Sequence, residues 1–187
     1  MSVRPITILG NKILRKKSKA ITGVDIEIIE LIKDMFDTMK NANGIGLAAN
    51  QVGVDKSLFV LDISGVEDYE DIKPMVLINP EIIERSEEQV SLEEGCLSIP
   101  EVRSEVKRPV EVKIKYRDAD FKEHTIKASE LLARVIQHEY DHLQGILFTD
   151  YLSSEELKKL NKALQKIKDG DYETDYPVLE LRDKLKK

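Results

Sequence analysis

The sequence predicts an α+β fold, and three observations carry that prediction. Residues 108–118 (RPVEVKIKYRD) alternate Val110, Val112, Ile114 and Tyr116 with charged residues, the pattern of a strand with one face in water, which favours antiparallel over parallel pairing. Residues 25–42 place Ile28, Ile32, Met35, Phe36 and Met39 at spacings of three and four, as in an amphipathic helix. The stretch 129–145 reads as a helix that is apolar over much of its circumference, which suits a central element covered by sheet. The expected architecture is antiparallel β-structure around that helix, with one helix before it and one after it.

Taken in order, the first helix begins near Asp25 and ends in NANG, at Asn43 or Gly44. The loop GIGLAANQVG (44–53) leads into short β-like runs at 57–62, 74–83 and 88–94. The runs 108–118 and 121–128 are joined by Asp118-Ala119-Asp120, which suits a hairpin turn. Ser129 is a fitting N-cap for the central helix and Gly145 a fitting stop. In LSSEEL, Ser153 and Glu156 form a capping box, with Leu152 and Leu157 as its hydrophobic staple. Leu157, Leu160, Leu164 and Ile167 then give that helix a core-facing stripe up to Gly170. Residues 171–187 are polar and are expected to be a loosely held tail.

Length and charge narrow the function. The 187 residues suit a single domain, 1–187, with a sizeable core. A net charge of -6 argues against duplex nucleic acid as a partner, because phosphate binding needs a basic surface. No apolar run approaches the roughly 20 residues that span a bilayer, and the N-terminus has no signal-peptide block, so no membrane is expected and the expected location is cytoplasmic. The single cysteine, Cys96, can form no internal disulfide.

The segment QHEYDHLQGILF (137–148) contains His138, Glu139 and His142 in HExxH spacing. Two histidines four apart on a helix reach one metal ion from one face, and the intervening Glu can take a proton from water on that ion. On a helical wheel, Glu130, Arg134, Gln137, Asp141 and Gln144 form a polar stripe, whereas His138 and His142 share a face with Leu131 and Val135. The surface beside the ligands is therefore greasy, and a bound substrate should offer a flexible apolar side chain there.

Catalytic zinc-type sites use three protein ligands and leave a position open. Phe148 stands where a third histidine could have been. Glu155 and Glu156 are candidates, but both fall in the first turn of a surface helix and Glu156 is engaged in the capping box. His124 lies in a strand-like run and reads as an exposed surface residue. Cys96, in LEEGCLSIP after a glycine and before Pro100, is the favoured choice, because a thiolate is a strong ligand for divalent first-row metals. The loop GIGLAANQVG matches GxGxxA formally, but it follows a helix where a dinucleotide site needs a strand. It offers bare backbone and one amide, Gln51, suited to holding a peptide main chain and donating to an oxyanion.

GIGLAANQ (44–51), EGCLS (94–98) and HEYDH (138–142), complete and in this order, resemble the peptide deformylase motifs GxGLAAxQ, EGCLS and HExDH. The resemblance covers roughly residues 1–168. It implies antiparallel sheets wrapped around the HExDH helix, and a metal held by Cys96, His138 and His142. The ion is expected to be Fe(II), with zinc, nickel or cobalt also accepted. It further implies hydrolysis of N-formylmethionyl nascent peptides to formate: metal-activated water attacks the formyl carbon, with Glu139 as general base and then acid. By the same resemblance, Gln51 and the Leu97 N–H stabilise the oxyanion, Ile45, Gly46, Glu94, Gly95 and Arg103 border the substrate, and Leu131 and Val135 line the methionine pocket. Arg134 stands where some members carry an apolar residue, and the helical wheel places it outside the pocket. Asp141 is expected to orient the helix through an arginine such as Arg108, and the C-terminal helix to make transient ribosome contact.

Overall fold

The computed structural model describes residues 2–179. In chain order the elements are β1 (Ile6–Thr7), α1 (Ile26–Asn41), β2 (Gly46–Ala48), β3 (Leu58–Leu61), β4 (Met75–Arg85), β5 (Gln89–Cys96), β6 (Ile99–Pro109), β7 (Glu111–Arg117), β8 (Glu123–Ser129), α2 (Glu130–Gln144), α3 (Ser154–Asp169) and β9 (Val178–Leu179). Among the described residues, no helix is long and apolar enough to cross a membrane.

Five strands form an antiparallel sheet in the order β2-β3-β4-β7-β8. Its centre is buried on both faces, which explains why β3 reads as an unbroken apolar run. Leu58, Val60 and Ile78 pack with Met35 and Met39 of α1, whereas Phe59, Leu61 and Leu77 pack with Ala133, Ile136 and Leu143 of α2. The register Leu58↔Ile78 and Phe59↔Leu77 keeps the two sets on opposite sides. Further along the sheet, Val112, Ile114 and Tyr116 turn toward α2, while Lys113 and Lys115 reach outward to surface carboxylates.

The other side of α2 meets the hairpin β5–β6, a separate two-stranded sheet. The central helix thus lies between two antiparallel sheets. A third cluster joins Ile167 of α3 to Ile6, Ile99, Val106 and Phe148, with Leu157, Leu160 and Leu164 packed against it.

The local signals act as expected at most ends. Asp25 caps α1 by accepting the Ile28 N–H, and Ser153 and Glu156 form their reciprocal capping box. Gly145 ends α2 at φ +75, and a Cβ there would come within 2.7 Å of the Arg15 backbone. Ser129 is the N-cap of α2, but its side chain makes no capping bond.

One strand lies outside the elements expected from the sequence, and one expectation needs correction. The run after Cys96 is an eleven-residue strand, β6, in which buried Val102, Val106 and Arg108 alternate with exposed Glu101, Arg103, Glu105 and Lys107. Its alternation is masked because the inward positions include Ser104 and Arg108. Residues 171–179, expected to be loosely held, are docked instead: β9 pairs in parallel with β1, the Ile6 N–H donates to the Pro177 carbonyl, and Tyr172, Tyr176 and Val178 pack on the third cluster. The rest of the expected tail, 180–187, lies outside the described residues.

Candidate metal centre

The register of the β5–β6 hairpin slips between Gly95 and Cys96, turning the chain so that Cys96 faces α2. Sγ of Cys96 lies 3.2 Å from Nε2 of His142. One donor atom from each of Cys96, His138 and His142 falls within 4.8 Å of the others. His138 has its Nδ1 2.9 Å from Oε2 of Glu94, which leaves Nε2 for the cluster. His124, on β8, is exposed and bonded to Asp118, and Glu155 and Glu156 are in the first turn of α3. Neither alternative belongs to the cluster.

Behind the Cys96, His138 and His142 cluster stands a buried charge network. Arg108 donates to Glu94 from Nε at 2.6 Å and from Nη2 at 3.0 Å, and from Nη1 to Asp141 at 2.6 Å. This is the Asp141–Arg108 contact expected from the sequence. Arg134 corrects the helical wheel, for it is only 6% exposed and lines the cleft. Its Nη1 donates to Glu94 at 2.7 Å and to the Val106 carbonyl at 2.7 Å, and its Nη2 donates to the Val90 carbonyl at 2.7 Å. Gln137 donates to the Pro109 carbonyl at 3.0 Å. The polar stripe of α2 therefore faces the hairpin, and the hairpin answers it with carbonyls and a carboxylate.

The electrostatics of the pocket follow from these contacts. Burial works against the Glu94 charge, but bonds from His138 and Arg108, and the Arg108 charge, hold its carboxyl well below the usual range. Glu139 lacks such bonds: burial pushes it up to about 7, against the opposing charges of His138 and Arg108. Its Oε2 is buried with no hydrogen-bond partner. Burial, then the neighbouring His138, holds His142 well below the ordinary histidine range, so its imidazole is neutral and able to ligate.

The donor set fits a divalent metal ion. One sulfur and two imidazole nitrogens converge, a number that leaves a coordination position open, and the unpartnered Glu139 Oε2 supplies an acceptor beside it. The glycine loop completes the wall. A Cβ at Gly46 would lie 2.5 Å from Oε1 of Glu139, so only glycine lets the loop come so near. Gln51, 2% exposed, accepts the Ala48 N–H and directs its Nε2 to within 3.6 Å of Cys96 Sγ and 3.2 Å of Ser98 Oγ. Asn50 ties the loop to α2 by donating to the His142 carbonyl.

Of the residues that the resemblance assigns to metal, catalysis and substrate, all except His142 line one cleft of about 590 Å³: Ile45, Gly46, Gln51, Glu94, Gly95, Cys96, Leu97, Arg103, Leu131, Val135, His138 and Glu139. His142 lies just behind, 1% exposed. The cleft also takes Glu101, Arg134 and the segment 173–176, which sequence reasoning missed. Opposite charges on the stripe of a helix already judged central were the one available sign that Arg134 is buried.

Comparison with known proteins shows what the chain is similar to. The family model described as polypeptide deformylase matches residues 3–158. A peptide deformylase of Chlorobaculum parvum is 47% identical over 176 residues, 94% of each chain. One from Pelodictyon phaeoclathratiforme is 49% identical over 178 residues, covering 95% of this chain and 94% of that one. The crystal structure of peptide deformylase from Ehrlichia chaffeensis superposes with a TM-score of 0.82 at 40% identity, covering 91% of this chain and 97% of that one. Arabidopsis thaliana peptide deformylase 1B, solved with an inhibitor, gives 0.83 at 38% identity, covering 96% and 99%. The chain belongs to the peptide deformylase family, metal-dependent hydrolases that act on formylmethionyl peptides.

Proposed function

We propose that this enzyme removes the formyl group from newly made N-formylmethionyl chains in the cytoplasm, with Cys96, His138 and His142 as metal ligands and Glu139 as general base and acid. One observation carries the reading: a sulfur and two imidazoles converge beside a buried carboxyl whose Oε2 has no partner. The ion is Fe(II), and the same donors accept zinc, nickel or cobalt. Such an ion supplies Lewis acidity, which lowers the pKa of water enough to make it a nucleophile near neutral pH.

The chain's own groups do the rest. Glu139, raised by burial toward neutrality, takes a proton from the attacking water and returns it to the leaving amine. The Gln51 amide and the Leu97 N–H donate to the formyl oxygen as negative charge develops on it. Leu131 and Val135, beside His138 on α2, receive the methionine side chain. Ile45, Gly46, Glu94, Gly95 and Arg103 border the peptide as it leaves the cleft. The exposed outer face of α3, with Lys158, Lys159 and Lys162, suits transient contact with ribosomal RNA phosphates.

Protein prepared without oxygen should release formate from a formyl-Met tripeptide. Glu139→Ala should lower kcat by about 10²–10⁴ with metal retained, and Cys96→Ala should lose its metal. A Cys96→Ala protein that keeps both metal and full activity would show that the ligand set is wrong.

A further inference from the structure

The bend Cys96–Ser98 is gripped from three directions, and two of the grips come from near the two ends of the described chain. Gln51 reaches Cys96 Sγ and Ser98 Oγ from the glycine loop. The Leu9 N–H donates to the Ser98 carbonyl at 2.8 Å. The Tyr176 hydroxyl donates to the Leu97 carbonyl, also at 2.8 Å. Leu9 and Tyr176 are themselves joined, because β1 and β9 pair and the Ile6 N–H donates to the Pro177 carbonyl. The two segments thus form one clamp whose contacts fall on consecutive carbonyls.

Stability alone could account for a docked strand, but two facts ask more of this one. The segment forms a wall of the cleft: Thr174 and Tyr176 stand with Gly95, Leu97 and Glu139 around the same space. Thr174 Oγ1 donates to the Tyr176 carbonyl, closing the turn that presents the ring. The second fact is the choice of carbonyls. The Leu97 carbonyl and the Leu97 N–H lie on the two peptide planes that meet at the Leu97 Cα, and the two held carbonyls together fix the plane that follows that Cα. Only the rotations at Leu97 then separate the held plane from the Leu97 N–H and from the cysteine one residue earlier. Hydrogen bonds weaken steeply with angle, so such limits bear directly on an oxyanion donor. The family match ends at residue 158, so nothing in it assigns this segment a role.

We infer that the segment 173–179 is a working part of the active site and that Tyr176 is a positioning residue, acting through the Leu97 carbonyl to aim the Leu97 N–H and to seat Cys96. This rests on the reading of Leu97 and Cys96 given under Proposed function. Tyr176 itself touches none of the reacting atoms.

The test is Tyr176→Phe in the full chain, loaded with Co(II) and compared with wild type and with Leu157→Ala. Phenylalanine keeps the ring and removes only the hydroxyl. Loss of one neutral hydrogen bond aimed at transition-state geometry should lower kcat on a formyl-Met tripeptide about three- to tenfold, with KM within about twofold. The visible absorption bands of the Co(II) protein should shift, because the sulfur ligand sits less firmly. Leu157→Ala, which loosens α3 on the same cluster, should lower Tm and leave both kcat and the bands in place. Wild-type kcat with wild-type bands in Tyr176→Phe overturns the proposal, as do equal changes in Leu157→Ala. A wild-type protein that releases no formate would overturn the deformylation reading instead, and the cobalt bands would then decide the role of Tyr176 alone.

Discussion

The two faces of α2 are held by opposite means. Toward the five-stranded sheet the helix buries Ala133, Ile136 and Leu143 among Phe59, Leu61 and Leu77, contacts that are strong in sum and indifferent to angle. Toward the hairpin it presents Arg134, Gln137 and Asp141, which meet carbonyls, a guanidinium and a carboxylate at fixed distances. The first face fixes that the helix is there. The second fixes how it is rotated, and His138 and His142 stand on the boundary, where rotation matters most. Apolar packing secures the fold, while directional polar contacts secure the geometry of the Cys96, His138 and His142 cluster.

The comparison breaks most visibly at Arg108. Arg108→Ala leaves Glu94 and Asp141 buried without their guanidinium, so unfolding in urea should show a loss of about 3–5 kcal/mol. Metal affinity should fall with it, because Glu94 also holds His138.

On the opposite face the two effects should separate. Ile136→Ala opens a cavity and should cost about 2–4 kcal/mol in the same assay, while metal content and kcat of the folded protein stay at wild-type values. Loss of metal in this variant would show that the apolar face also sets ligand geometry.

Arg134→Met sharpens the contrast at a smaller scale. It removes one bond to Glu94 and two to hairpin carbonyls, for an expected loss of about 1–3 kcal/mol and roughly tenfold in metal affinity. The pH dependence has a definite sign. The Glu94 carboxyl is depressed in the folded state, so its contribution is fully present above the unfolded value, about 4.3, and is lost as pH falls through the folded value. Arg134 places a guanidinium nitrogen 2.7 Å from the Glu94 carboxylate, so removing it takes away a charge-assisted bond and makes the depression smaller. The stability gap between wild type and variant should therefore be constant near neutrality and narrow below about pH 4.3, as urea melts over that range can measure. A gap that widens on acidification would mean that Arg134 acts mainly through Val90 and Val106.

What the sequence disclosed follows the same division. Periodicity revealed α1, α2, β7 and the stripe of α3, because apolar burial leaves a regular trace. The cluster was legible by chemistry: His138 and His142 share a helical face, and Phe148, standing where a third histidine could have been, leaves Cys96 as the favoured third donor. Directional contacts leave no such trace. Arg134 read as solvent-facing because a wheel sorts residues by polarity and cannot show that the neighbouring sheet offers carbonyls to bind. β6 was missed because Ser104 and Arg108 occupy inward positions, and the segment 171–179 because Asp171, Glu173 and Asp175 hide the docking of Tyr176 and Val178.

The parallel pairing of Ile6–Thr7 with Val178–Leu179 also sets an order in time. Most of the chain lies between these two strands, so their meeting closes a loop of nearly all the described residues and belongs among the last events of folding. During its own synthesis the enzyme can assemble α2 and both antiparallel sheets, but the bend at Cys96 lacks its third grip until residue 179 has been made. Until then Gln51 and Leu9 hold the bend alone, so the cleft is walled before it is braced.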